Sequence, residues 1–294
     1  MDDALLLRSV ESLLDDDDEA SAAPPEVPSG GTSSASAAPM APNPMVAIAS
    51  AMLEAQGPRP SFGDFATVPS QNPFAAREHV FVTRHGARID NGPDADAQWL
   101  AKAGHGRPDD PHLSPSGLVA AAELAARLAA SEVRVAHVVT SPFLRCVQTA
   151  NAVAERLGIA IKLEPGISEV GAFAHTLLTT AELASSFPRV DTSYVPAVEL
   201  SELKPEHSDA AAAHRAHDAA LAVRERLDGP ILYVGHGASC LGLVQAFGGS
   251  GYVGYTSLSH FTRDLDGTGQ WVLDGALGEV SHLSDQRTAL GSAW

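Results

Sequence analysis

The chain of 294 residues has only two cysteines, Cys146 and Cys240, which excludes a disulfide framework. Both lie in apolar helical patterns and read as buried structural thiols. Aromatic residues make up only 5% of the chain, so alanine supplies much of the apolar quota. No run of about 18 apolar residues occurs, so no segment qualifies as a membrane-spanning helix. Basic residues are scarce: 19 Lys and Arg stand against 36 Asp and Glu, for a net charge of −17. That balance argues against nucleic acid or an anionic membrane as the main partner. The opening Met1-Asp2-Asp3 has the wrong charge for a secretory or mitochondrial leader. These absences suggest a reducing, cytoplasmic compartment.

The negative charge is unevenly placed. Met1 to Phe74 holds eleven acidic and two basic residues, leaving −9 there. A short amphipathic helix is expected over residues 1–14, on Leu5, Leu6, Val10, Leu13 and Leu14. The acidic run Asp15–Glu19 opposes its macrodipole. From Ala20 to Pro44 the composition is Ala, Pro, Ser and Gly, which buries too little to offset ordering entropy. Met45–Glu54 regains apolar character before Gly57-Pro58-Arg59-Pro60 breaks it. Asn72-Pro73-Phe74 matches a tripeptide read by some endocytic adaptor domains, but here reads as linker. Residues 1–75 are expected to be a disordered acidic Ala/Pro/Ser-rich leader, and residues 76–294 the folded domain.

From Glu78 the pattern alternates. Short apolar strands are predicted over 79–84, 136–141, 161–164 and 230–235. A helix is predicted over Pro115–Ala130, with Ser114 as N-cap and Pro115 at the first helical position. A second begins near Phe143 and ends at Gly158, and a longer one runs from Ser208 to Leu227. Residues 262–265 and 270–277 read as a terminal hairpin. The implied fold is α/β, a mostly parallel sheet with helices on both faces. Sites in such sheets lie at the carboxyl ends of strands, where Arg84, His85, Ser141 and His236 fall.

Arg84-His85-Gly86 follows the apolar run His79-Val80-Phe81-Val82. A cation beside an imidazole disfavours its protonation, and a neutral imidazole is what a nucleophile needs. Gly86 adds no side chain, so a ligand is expected to approach the backbone there. Arg88 is expected to return to the same pocket through a turn of helix. Arg145 sits in the first turn of a helix, where a cation is unfavourable and a bound anion would relieve the conflict. Its planar fork suits phosphate. His214 and His217, three apart on a helix, show no carboxylate or cysteine partner of obvious spacing, so no metal is assigned to them. His105 and His112 read as loop residues.

These words together resemble the histidine phosphatase superfamily, which includes phosphoglycerate mutases and several phosphatases. The strongest likeness is to the suppressor-of-T-cell-receptor-signalling branch. It is carried by Arg84 to Asp90, by Ser141-Pro142-Phe143-Leu144-Arg145-Cys146-Val147-Gln148-Thr149-Ala150, by Glu164 to Glu169 and by Asp191 to Pro196. It covers about residues 78–285. The resemblance implies a phosphoglycerate-mutase-like three-layer sandwich and phosphomonoester hydrolysis without metal or cofactor. His85 would become phosphohistidine; Arg84, Arg88, Arg145 and His236 would bind the phosphoryl oxygens; Glu169 would protonate the leaving group. Three arginines and a histidine can offset phosphoryl charge where other enzymes use magnesium.

Some positions depart from the pattern. Gly237 follows His236 where the acid-phosphatase branch has Asp. Val170 stands where the look-alike branch often has an aromatic. Asn91–Leu113 offers only Lys102 and Arg107 as cations, few for a mutase acting on a carboxylated bisphosphate. A mutase-like phosphotransferase and an inactive phospho-ligand-binding scaffold are the alternatives to a phosphatase. The expected partner is a phosphorylated small molecule or phosphoprotein substrate, with no nucleic acid and no membrane; a homodimer is left open.

Overall fold

The strand that ends in Arg84 organises the sheet. In the computed structural model, β1 (Arg77–Arg84) pairs parallel with β4 (Ile231–Gly235) on one side and antiparallel with β5 (Leu258–Asp264) on the other. β2 (His137–Thr140) joins β4 to β3 (Ile161–Leu163), both parallel, and β6 (Trp271–Leu273) closes the far edge antiparallel to β5. The order β3-β2-β4-β1-β5-β6 is thus a mostly parallel sheet with an antiparallel margin. The residues described are 77–91, 96, 98–99, 109–171, 177–265 and 268–290. The expected leader, with its short helix and the Asn72-Pro73-Phe74 tripeptide, lies outside them, as does His105.

Both faces of the central strands are apolar, as a sheet covered on two sides requires. Phe81, Val138, Leu232 and Val234 point into one core, with α1 (Pro115–Ala129) and α2 (Leu144–Leu157). Val80, Val82, Val139 and Tyr233 point into the other, with α4 (Asp209–Arg226) and α5 (Gly237–Ala246). The alternation follows from the two-residue period of a strand. The short α3 (Thr180–Ser186) adds Leu183 to the first core, and α6 (Arg287–Leu290) follows β6. The alanine-rich helices pack closely: a Cβ on Gly242 of α5 would fall 1.8 Å from the Ala213 carbonyl oxygen of α4.

Helix ends match their local chemistry. Ser114 accepts from the Gly117 N–H at 3.1 Å and Pro115 opens α1. Gly158 closes α2 with φ 74°, a conformation that a side chain would strain. Ser208 caps α4 by accepting from Ala211. The terminal hairpin differs from expectation. Its first strand reaches back to Leu258, because the whole of β5 finds backbone partners on β1, and its second stops at Leu273.

Candidate active site

Three parallel strands, β1, β2 and β4, end side by side, and the groups that follow them converge. His85 leaves β1 with its N–H donating to the Gly235 carbonyl at 3.0 Å; Ser141 leaves β2 with its N–H donating to Val234 at 3.1 Å. His236 follows β4 directly and is fully buried, as is His85.

The His85 ring is oriented by its own neighbour. Its Nδ1 lies 2.8 Å from the Gly86 carbonyl oxygen, which can only accept, so Nδ1 carries the hydrogen. Nε2 is left with its lone pair, and the Nε of Arg145 donates to it from 3.3 Å. Burial first, then the charges of Arg145 and Arg84, hold the His85 pKa well below the usual imidazole value; the Gly86 bond works the other way. His236 is held low for the same leading reason, burial, followed by Arg145. Its Nδ1 accepts from Arg145 Nη2 at 3.1 Å, and its Nε2 donates to Ser141 Oγ at 2.8 Å.

Arg145, at the first turn of α2, is 1% exposed and bridges these two imidazoles. Its place at a helix N-terminus is relieved by a protein anion. Asp110 accepts from the Leu144 N–H at 2.8 Å and stands 3.8 Å from Arg145 Nη1. The conflict that suggested a bound anion is thus already partly resolved within the chain. Phe143 packs under the guanidinium at 4.5 Å.

Arg84 lies over the Tyr255 ring at 4.0 Å and donates to the Tyr252 hydroxyl. Thr256, next in chain, has φ 51°, an unusual conformation for a β-branched residue, and its N–H donates to the Arg84 carbonyl at 3.0 Å. That strained turn returns Tyr255 beneath Arg84. Glu169 stands at the rim with its side chain 20% exposed; its Oε2 is 3.5 Å from His236 Nδ1 and 3.7 Å from Arg145 Nη2.

Arg88 reaches the site by a different route from the one expected. It lies in an extended segment bridged to Asn91 and Leu113, not in a turn of helix. Its guanidinium is paired with Asp90. Burial works against the Arg88 charge, but the bond to Asp90 and the negative charges around it together hold its pKa above the usual value. Gly86 has a packing reason as well. A Cβ there would fall 2.7 Å from the Gly117 carbonyl, so the missing side chain admits the start of α1. The Gly86 N–H donates to Thr149 Oγ1 at 3.1 Å. Gly237 does face the site: a Cβ there would touch the Arg84 guanidinium at 3.5 Å.

His85, Arg145, His236 and Glu169 thus lie against one another, Arg84 flanks them beside Gly237, and the charge of Arg88 acts on His85. Sequence reasoning missed Asp110, Ser141's hydroxyl, Tyr252 and Tyr255. Cys146 is buried as expected; its Sγ lies 3.4 Å from His236 Nε2, and burial pushes its pKa well up and keeps it a thiol. Cys240 is buried on the opposite face of the sheet. His214 and His217 do share a carboxylate, Asp218, at 3.3 and 2.9 Å, but on an exposed surface. His85, Glu169 and His236 each offer a ligand atom within 4.8 Å of the others, a donor set of the kind that holds zinc. Arg145 donates into the midst of that set, and a cation there would meet its charge. Among the described residues no helix is long and apolar enough to cross a membrane.

Comparison with known proteins gives a consistent picture. The family model for the histidine phosphatase superfamily (branch 1) matches residues 80–265. The chain is similar to the ubiquitin-associated and SH3 domain-containing protein A of Homo sapiens, 34% identical over 166 residues, 45% of this chain and 25% of that one. It is similar to the ecdysteroid-phosphate phosphatase of Drosophila melanogaster, 28% identical over 243 residues, 69% of this chain and 32% of that one. It therefore spans about a quarter to a third of the length of these relatives. Among solved structures, the ecdysone phosphate phosphatase from Bombix mori in complex with tungstate has a TM-score of 0.53 at 24% identity, covering 69% of this chain and 94% of that one, a likeness of fold.

Proposed function

This chain belongs to the histidine phosphatase superfamily, and from that premise we propose that it hydrolyses phosphomonoesters through a phosphohistidine. The observation that carries this reading is the state of His85: Nδ1 tied to a carbonyl, Nε2 unprotonated and aimed among cations. Nε2 would attack phosphorus in line, forming the N–P bond as the P–O bond to the alcohol breaks. Glu169 would give its proton to the departing oxygen, a role worth about 10²- to 10⁴-fold in rate. Water, deprotonated by the Glu169 carboxylate, would then attack phosphorus, releasing inorganic phosphate and restoring neutral His85. Arg84, Arg88, Arg145 and His236 would hold the equatorial oxygens, supplying the charge compensation that phosphoryl transfer requires.

The substrate class in this reading is a phosphorylated small alcohol, supported by the ecdysteroid-phosphate phosphatase relative. The division into a leader over 1–75 and a catalytic domain over 76–294 belongs to the same proposal, supported by a family match that begins at residue 80. So does a cytoplasmic home, supported by the two buried free thiols.

The test is a panel of alkyl phosphates, aryl phosphates and phosphotyrosine peptides assayed in excess chelator, with vanadate as competitor. Turnover of alkyl phosphates with chelator present, blocked competitively by vanadate, is the expected result. Activity that vanishes with chelator and returns with magnesium would overturn the mechanism; turnover confined to peptides would overturn the substrate class.

A further inference from the structure

Glu169 stands outside regular structure, on the segment that leaves β3 through a single turn of 3-10 helix, Pro165–Ile167. A proton donor must be placed to within a fraction of an ångström, so what holds this segment bears on the chemistry. Two side chains hold it. At its start the buried Glu164 carboxylate accepts from the N–H groups of Gly166, Ala197 and Val198 and from the Tyr194 hydroxyl. That carboxylate gathers N–H donors from neighbouring segments.

At its end Arg215, from the first half of α4, does the converse. Its Nη1 donates to the Gly166 carbonyl at 2.8 Å and reaches that of Pro165 at 3.4 Å. Its Nη2 donates to the carbonyls of Ser168 and Glu169, each at 3.3 Å. The guanidinium is itself fixed by a fork to Glu206, Nε to Oε1 at 2.9 Å and Nη2 to Oε2 at 2.7 Å. Glu206 also donates its backbone N–H to the Gly171 carbonyl at 3.3 Å, beyond Glu169. Both side chains are largely buried, 15% and 13% exposed. Gly166 adds a steric condition: a Cβ there would fall 2.5 Å from Ala219 Cβ, so the turn lies directly against α4.

We propose that Arg215, fixed by Glu206, is a positioning residue that sets the backbone carrying Glu169 against the phosphoryl pocket. The inference rests on the reading of Glu169 as the proton donor. Its charge is matched by Glu206, so its action on the site runs through the four carbonyls, and it touches none of His85, Arg84, Arg145 or His236. Lysine cannot replace it, since a single ammonium cannot span those carbonyls and the Glu206 fork at once.

The experiment compares kcat/KM for an alkyl phosphate and for p-nitrophenyl phosphate, whose leaving group needs little protonation. It uses the wild type, Glu169→Gln, Arg215→Lys and the double variant, with vanadate inhibition measured on each. Arg215→Lys is expected to lose about 10²-fold on the alkyl phosphate, the scale of an ångström misplacement, and little on p-nitrophenyl phosphate, with vanadate inhibition retained. In the Glu169→Gln background the same change should add less than about two-fold, because both act on one group. A selective Glu169→Gln with an Arg215→Lys that weakens both esters alike, or with losses that simply multiply, overturns the proposal alone. A Glu169→Gln that weakens both esters equally removes the acid role itself, and Arg215 with it. Should Arg215→Lys melt below the assay temperature, Glu206→Gln, which loosens the fork and leaves the guanidinium, must show the same selectivity or the proposal falls.

Discussion

Arg145 Nε donates to His85 Nε2 from 3.3 Å, so the cation that would bind phosphate also guards the lone pair that would attack it. One guanidinium thereby links the neutrality of His85 and the orientation of His236 to the anchoring of a phosphoryl oxygen in the proposed reaction. Replacing it would change all three at once, which makes its neighbours better probes than Arg145 itself.

His85→Ala should abolish turnover while the fold survives. Rapid quench of the wild type with labelled substrate should trap label that is acid-labile and base-stable, as an N–P bond requires. Residual activity above a few per cent, with a normal melting curve, would remove His85 from the nucleophile's role.

Asp110→Ala should destabilise the chain by about 1–2 kcal/mol, the cost of losing a helix cap, because the Leu144 N–H loses its acceptor. Asp110→Asn keeps an acceptor but not the charge beside Arg145. It should cost less stability and strengthen inhibition by inorganic phosphate several-fold. Urea unfolding and a phosphate titration separate the two effects.

Acid should destabilise the fold earlier than carboxylate titration alone would. His85 and His236 are held well below the usual imidazole value, burial leading in both, and His260 is brought to about 4, again chiefly by burial. An imidazole whose folded pKa is depressed contributes stability that is intact above its unfolded value, near 6.5. That stability is lost as pH falls toward the folded value, each group contributing up to about 1.4 kcal/mol per pH unit. Urea midpoints should fall between pH 7 and pH 5, and His260→Gln should flatten that fall by one proton's worth. A slope unchanged in the variant would show that His260 does not titrate as its surroundings dictate.

A chain beginning at Pro73 should keep kcat and KM within about two-fold, well short of the ten-fold that 1.36 kcal/mol represents. Every described group of the recess lies after that residue. A large loss with the fold intact would mean that the leader reaches the site.

How legible the site was from sequence depended on distance along the chain. Arg84-His85 and Arg145 were visible because an apolar run stops at cations, a local signal. The strand ends, the Ser114 cap and the Gly158 terminator were visible for the same reason. At Gly86 and Arg88 the structure adds contacts that neighbours in sequence do not show: the close approach of Gly117 and the bridge to Leu113. Asp110 was hidden in an acidic loop, where one carboxylate looks like the next. Tyr252 and Tyr255 lie far downstream of the Arg84 they support, and nothing beside Arg215 in sequence marks the four distant carbonyls it holds.

The central place of β1 has a consequence for assembly. It is the first described strand to be synthesised, yet its partners are β4 and β5, which begin at Ile231 and Leu258. Closing so long a loop costs entropy before any ladder bond repays it, so the middle of the sheet should form slowly. Until β4 has emerged β1 has no strand partner and His85 and His236 are not yet neighbours; the other edge of β1 stays open until β5 follows, from residue 258 onward. The nascent chain is therefore most prone to aggregate while it is also unable to bind phosphate, and phosphate or vanadate should aid only its last folding step.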